Sequence, residues 1–574
     1  MPYPSYKDPL PHERPPEQRI FIEGKPALVL PKGSYIKETD DYAVECARVT
    51  GALIELLSPC LGPNALYKLI LAEDGSCYLT KDALTIFGKI KLSNPVARIL
   101  AGAGVDVAKG VGDGSTTTVL LACSIINNTL PLLDLGIKPS ELARGCMMAY
   151  KRFLSIEDRF TFPVHEPQQH LRGLLRTWLA SSTLSSHWDV FVNLMEELIS
   201  YLKVAQNGNL SRLDNVFMRC LMGRSVAESR LIRGLALMRE RVHPSMPTHI
   251  RRAKLILIKG ELLLSKTGLV PRTAHAVEVN SLHEYMNLLK AKQEVMLPYL
   301  RRILDAGVNV ILLERGADDE VVEYLARRGV LLLRRFSPQE FDHLASVTGA
   351  IPLVSADAFT GDEVVEVEDV RLEVMGGTTW WILEGIRDPR GCEVLLRGPN
   401  ELFLQEAERL LLRGLRLTKT FLAQPSITYG GGWLEMKVAQ ELRAYCPCLR
   451  GAEQLVVEKI ADAFELIPSL LARNSGMKRL DALLSLRSSL NASAFACVDA
   501  LGRCLGDARS LNIVEPYAVK RRAIIAAMEA AYTLLRVDRL VASRRLSKEE
   551  SYFVERTTKA SPEATKKFYA DLGI

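Results

Sequence analysis

The densest group of chemistry-bearing residues is Val111-Gly112-Asp113-Gly114-Ser115-Thr116-Thr117-Thr118, set directly ahead of the apolar run Val119 to Asn127. Glycines let a backbone approach a polyanion closely, and free N–H groups at a helix N-terminus attract phosphate oxygens. Asp113 would repel phosphate unless a divalent cation bridged the two, so the pairing implies Mg2+. The same residues also suit a glycine-rich turn with a Ser/Thr N-cap. No Gly-Lys-Ser/Thr follows at the spacing of a Walker A loop. Two further groups are less specific. Leu61-Gly62-Pro63-Asn64 reads as a turn, and Lys81-Asp82 downstream of it reads as a helix N-cap. Gly430-Gly431-Gly432-Trp433, with Glu435, is too glycine-dense for an ordinary connection and points to close backbone contact. Other chemistries lack support. Cys446-Pro447-Cys448 has no second Cys or His pair at zinc spacing, and neither HExxH nor Gly-x-Ser-x-Gly occurs. Arg327, Arg328, Arg334 and Arg335 read as a solvated basic face.

The segments that must position these residues alternate in character. A helix capped by Asp40 or Asp41 runs through Ala43, Ala47, Leu53 and Leu56 and stops before Gly62-Pro63. Lys68–Ala72 and Ser76–Thr80 read as a hairpin turning at Glu73-Asp74-Gly75, and Asn94-Pro95 opens a further helix. In the centre, Ala253–Ile258, Val308–Leu313 and Val330–Arg334 are β-rich runs separated by helical patterns such as Asp319–Arg328, as in βαβ units. Gly307, Gly329 and Gly349 fall where helices should end. Val365–Val374 and Thr378–Glu384 read as more strands. From Glu401 the helical pattern returns, broken by Gly430–Gly432 and Leu511–Pro516. The order helical, α/β, helical implies a helical domain built from both ends of the chain with an α/β domain inserted.

Composition narrows the function classes. At 574 residues the chain is long enough for about three to four domains. Hydrophobic residues at 48% and charged residues at 24% are ordinary globular values. A net charge of +6 from 73 basic and 67 acidic residues is too diffuse to imply nucleic acid. No run approaches the ~18 apolar residues of a membrane span. The Pro-rich, charged start MPYPSYKDPLPHERPPEQR has no apolar h-region, so it reads as a flexible tail and not as a signal peptide. The 11 cysteines are scattered and mostly flanked by apolar residues, which suits buried thiols in a reducing, intracellular compartment.

Together and in this order, the segments resemble the group II chaperonins, the thermosome and eukaryotic cytosolic chaperonin subunits. Gly62-Pro63-Asn64-Ala65 resembles that family's Gly-Pro-Lys-Gly phosphate loop, Lys81-Asp82-Ala83 its Asn-Asp-Gly segment, and Gly112–Thr116 its Gly-Asp-Gly-Thr-Thr loop. Val242–Pro247, Asp305–Val310, Ala345–Ala350, Leu396-Arg397-Gly398, Ile467-Pro468, Asn474-Ser475-Gly476, Ile513–Pro516 and Leu535–Asp538 also match, so the similarity runs from Glu38 to Ser543.

The resemblance implies an α+β multidomain fold. Residues 1–37 would be a tail, 38–157 and 421–574 a helical equatorial domain, 158–228 and 380–420 a small intermediate domain, and 229–379 an inserted α/β apical domain. A helical protrusion near Leu262–Leu300 would form a lid. It also implies double rings with other chaperonin subunits, non-native client proteins as partners, a cytoplasmic location, and ATP with Mg2+ as cofactors, without nucleic acid or membrane. Gly62 and Pro63 would contact the nucleotide. Gly114, Ser115, Thr116 and Thr117 would cradle its phosphates, and Gly431 and Gly432 would line the site. Glu515 would reach the ribose. Asp113 would bind the nucleotide through Mg2+, and Asp82 would position the attacking water.

Several positions depart from the family pattern. Arg413 stands where chaperonins carry a second hydrolytic carboxylate, and arginine, with a pKa above ~12, cannot act as a base. It could instead pair with the γ-phosphate. Asn64-Ala65 replaces Lys-Gly, Tyr67 replaces a nearby Asp, and Ala83 replaces a glycine. Trp433 either crowds or stacks on the nucleotide or simply packs. The expectation is a subunit that binds ATP better than it hydrolyses it. It would be a folding subunit or, alternatively, a hydrolysis-deficient chaperonin-like scaffold or assembly factor.

Overall fold

The structure, a computed structural model, describes residues 39–542 except 73–74, 183, 206–214, 224, 263–280, 282–297, 388, 493–494 and 538–539, together with the short strands Ile20–Ile22, Lys25–Leu28 and Tyr35–Lys37. The expected protrusion near Leu262–Leu300 lies almost wholly outside the described residues.

Helix Ser115–Thr129 is the axis of the larger core. Val119, Leu120, Leu121, Ala122, Cys123, Ile125 and Ile126 are all fully buried, as a helix apolar on every side must be. It is enclosed by Thr39–Leu57 and Pro95–Val111 from the first part of the chain and by Ala452–Phe464 and Tyr517–Leu535 from the last. Each fully buried Leu, Ile or Val contributes roughly 1.5–3 kcal/mol, so the two ends of the chain are held together by one shared apolar interior. Helix Thr39–Leu57 starts two or three residues earlier than a cap at Asp40 or Asp41 would place it, and both aspartates fall in its first turn. Asn94 caps Pro95–Val111 through its side-chain oxygen, which accepts from Val96 N at 2.9 Å, and Pro95 takes the first helical position.

A second core surrounds a six-stranded sheet ordered Leu331–Arg334, Val310–Leu313, His249–Ile258, Val365–Met375, Thr378–Ile386, Gly234–Met238. The first three strands are parallel, Leu255 pairing with Val310 and Val310 with Leu331, with helix Asp319–Arg327 as a crossover. The other three add antiparallel, Ala253 pairing with Val367. The expected α/β module is therefore a mixed sheet. A connection of two residues, Gly376-Gly377, joins Val365–Met375 to Thr378–Ile386, and so short a turn enforces antiparallel pairing. Sequence reasoning did not find a separate three-stranded sheet, in which Cys392–Gly398 lies between Val216–Met222 and Arg230–Ile232. Cys392–Gly398 feeds the 23-residue helix Glu401–Ala423, capped by Asn400, whose Oδ1 accepts from Phe403 N at 2.8 Å. That helix runs back against Pro95–Val111 and the hairpin strand Cys77–Thr80, and so carries residues from the middle of the chain to the loops of its first part.

Candidate functional site

Three turns meet below this helix. Helix Pro95–Val111 ends at Gly112 (φ 90°), and Gly114 (φ 93°) opens Ser115–Thr129. A Cβ on Gly112 would lie 2.6 Å from Leu417 N and 2.7 Å from Arg413 O. Glycine is therefore required both by the left-handed backbone and by close contact with helix Glu401–Ala423. The first intrahelical bond beyond the loop is Thr118 N to Gly114 O at 2.9 Å, so the N–H groups of Ser115, Thr116 and Thr117 precede it, as at any helix start. The helix begins inside the Ser/Thr cluster, earlier than the apolar run from Val119 indicates.

The hairpin Lys68–Leu71/Cys77–Thr80 delivers Lys81 and Asp82. Asp82 is indeed an N-cap: its Oδ2 accepts from Thr85 N and Thr85 Oγ1, both at 3.1 Å. Its Oδ1 faces the site, accepting from Ser115 Oγ at 3.3 Å. The third turn, Gly430–Gly432, joins strand Ser426–Tyr429 to helix Trp433–Tyr445. That strand pairs antiparallel with Val514–Pro516, Thr428 opposite Glu515, which brings Glu515 beside the glycines.

The turns enclose a cavity of about 390 Å³ lined by Gly62, Pro63, Asp82, Asp113, Gly114, Thr116, Thr117, Gly431, Gly432 and Glu515. Of the residues expected at the nucleotide, Ser115 alone does not line it; its buried hydroxyl supports Asp82 instead. Trp433 also lies outside the lining. It is buried among Phe160, Phe162, Tyr429 and Phe495, stacked on the last at 5.8 Å, which decides for packing. Asn64 Nδ2 donates to Ala500 O at 2.7 Å and ties its loop to the opposite wall.

Arg413 forms the ceiling. Its Nε donates to Gly112 O at 3.1 Å and its Nη2 to Asp113 Oδ1 at 2.9 Å, while Nη1 lies 2.8 Å from Asp82 Oδ1. Burial works against the guanidinium charge, but Asp82, Asp113 and Glu406 outweigh it and its pKa is raised. Glu406, two turns earlier on the same helix, also lines the cavity and accepts from Thr80 Oγ1 at 3.1 Å. Burial raises its pKa, and Asp82 adds to the effect. Lys81 is buried in the lining with its Nζ 5.3 Å from the centre of the Tyr67 ring. Burial lowers its pKa to about 8 despite Cys60 and Glu406. On the far side, Lys520 Nζ lies 2.8 Å from Glu435 Oε1 and 3.3 Å from Glu515 Oε1. Burial raises the pKa of Glu515, with Lys520 opposing. Sequence reasoning missed Glu406 and Lys520. Spacing from Arg413 could have found the first, since positions seven apart share a helix face; Lys520 carries no such signal.

The expected magnesium ligand does not fit. A magnesium ion needs anionic oxygens at about 2.0–2.1 Å. Asp113 Oδ1 is hydrogen-bonded to a buried guanidinium, whose charge would repel an ion on the same carboxylate.

A model of the TCP-1/cpn60 chaperonin family matches residues 53–545. The chain belongs to that family. Among its relatives, this chaperonin is 31% identical to the thermosome subunit alpha of Aeropyrum pernix over 532 residues, 90% of this chain and 94% of the other. It is 29% identical to the thermosome subunit alpha of Archaeoglobus fulgidus (92% and 97%) and 28% identical to the thermosome subunit of Methanopyrus kandleri (92% and 96%). These are distant, full-length members of the group II branch. Among the described residues of the chaperonin, no helix is long and apolar enough to cross a membrane.

Proposed function

We propose that this chaperonin assists the folding of non-native proteins as a cytoplasmic ring subunit, binds ATP in the cavity, and hydrolyses it weakly. The observation that carries the reading is the convergence of the Gly62, Gly112–Thr117 and Gly431 turns on one cavity beside a helix N-terminus. There, backbone N–H groups and the helix dipole favour phosphate. The separation of an inserted apical domain is supported by its own apolar core, distinct from the larger one that both ends of the chain share with the intermediate segments. A ring partner is supported by the exposed leucines Leu69, Leu71 and Leu79 on the hairpin, an apolar strand face of the kind that marks a protein contact. All eleven cysteines are free and seven are buried, in keeping with a reducing compartment.

Weak hydrolysis follows from Arg413. A carboxylate that orients water is worth about 10²–10⁴ in rate, roughly 3–5 kcal/mol of barrier. Here that position holds a cation paired to Asp82, the remaining candidate. The same pairing favours the scaffold reading as the alternative. Steady-state ATP hydrolysis by the purified chain should be slow, and Arg413→Asp should accelerate it about 10²-fold or more. Rapid wild-type turnover that Asp82→Ala abolishes would overturn the reading.

A further inference from the structure

We propose that the cavity binds its nucleotide without a divalent cation, Arg413 and Lys81 supplying the positive charge. The inference rests on the reading of the cavity as a nucleotide pocket and goes beyond it in defining the ligand as a metal-free polyphosphate.

Charge is the first argument. In the family pattern, three carboxylates and one dication carry a single net negative charge. In this chaperonin the two carboxylates Asp82 and Asp113 and one guanidinium carry the same single negative charge with no ion added. An ion placed on the other oxygen of Asp113 would share one carboxylate with the buried Arg413 guanidinium, and two cations so close repel each other.

Donor capacity is the second argument. A guanidinium has five N–H donors in a fixed fork. Arg413 directs one to Gly112 O, one to Asp113 and one group toward Asp82. The remaining donors belong to a side chain that lines the cavity, and bidentate phosphate recognition is the chemistry this fork suits.

The third argument is a paired replacement. The lysine of the family's phosphate loop is absent. Asn64 stands there, with its amide donating to Ala500 O. A lysine appears instead at position 81, on the adjacent turn, where the family carries asparagine. Lys81 lines the same cavity and makes no ion pair with a carboxylate among the described residues. A buried lysine without a counter-ion is unfavourable in an empty pocket, and a phosphate group relieves it.

Equilibrium dialysis of radiolabelled ATP against the full-length wild-type protein, in excess EDTA and in excess MgCl2, tests this. The dissociation constants should differ by less than about tenfold. Weakening of about tenfold or more in EDTA overturns metal independence and leaves the nucleotide pocket standing. No binding in either buffer overturns both. In Arg413→Asn, binding in EDTA should fall by about tenfold or more and return with MgCl2, because Asp113 is then free to ligate. A variant that stays insensitive to EDTA overturns the role given to Arg413. The wild-type comparison decides the question even if the variant folds poorly.

Discussion

Two of the buried cations that border the cavity each lie between two carboxylates, and their settings differ. Lys520 joins Glu435 and Glu515, all from helices and a strand in the last part of the chain. Arg413 joins Asp82 and Asp113, drawing one residue from each of three separated segments. Glu435 is fully buried and the Asp113 side chain is 38% exposed. The lysine therefore neutralises Glu435 inside the core and Glu515 at the core's edge. The arginine neutralises charge at the mouth of a site that a ligand or an ion could also neutralise. Similar arithmetic thus serves to hold the fold at one wall and to set the ligand at the other.

Removing each cation should separate the two. Lys520→Met leaves the buried Glu435 and the partly exposed Glu515 without a counter-charge and should cost about 3–5 kcal/mol in urea unfolding, with no recovery from added MgCl2. A loss below about 1 kcal/mol, the range of an exposed pair, would mean that Lys520 does not hold the core.

Lys81 offers a contrasting case, since it is a cation buried ahead of its ligand. Its pKa is lowered from 10.5 to about 8 by burial, with Cys60 and Glu406 opposing; Asp82 and Tyr67 also flank it. Below about pH 8 both folded and unfolded chains hold the proton, and the folded state bears the full burial penalty, roughly 3 kcal/mol. As pH rises from about 8 toward 10.5, only the unfolded chain keeps the proton, and the penalty fades. Lys81→Met should therefore be more stable than wild type by up to roughly 3 kcal/mol at neutral pH. That advantage should shrink as pH rises through the window, while ATP binding weakens. A stability difference that does not change with pH would exclude a charged, buried Lys81.

These contrasts also mark how far the sequence was legible. Local signals were sufficient where structure is local: Asn94-Pro95 starts a helix, Gly307, Gly329 and Gly349 adopt positive φ at helix ends, and Lys68–Thr80 forms its hairpin. Cys392–Gly398 escaped notice because it is buried at every position and shows no alternation, and its partner Val216–Met222 is remote in the chain. In the site, the turns were recognisable as motifs, and the double role of Asp82 follows from capping geometry. The pairing of Arg413 was not legible, because it depends on helix Glu401–Ala423 pressing its backbone onto Gly112. Trp433 could be settled only by Phe160 and Phe495, which reach it from distant segments.

The smallest expected effect distinguishes fork from charge. Arg413→Lys retains the positive charge, making the site electrostatically similar to the Lys520 cluster. It loses the planar fork that contacts Gly112 O, Asp113 and Asp82 together. Lysine has one nitrogen on a shorter reach and cannot make all three contacts. Since the charge survives, the carboxylates remain partly neutralised, and the stability loss should be about 1 kcal/mol, the worth of a hydrogen bond or two. Nucleotide binding in EDTA should fall further than stability does, because the donors left over for phosphate are the ones a lysine lacks. If Arg413→Lys binds ATP in EDTA as tightly as wild type, charge alone is sufficient at this wall as at the other, and the difference between the two clusters reduces to exposure.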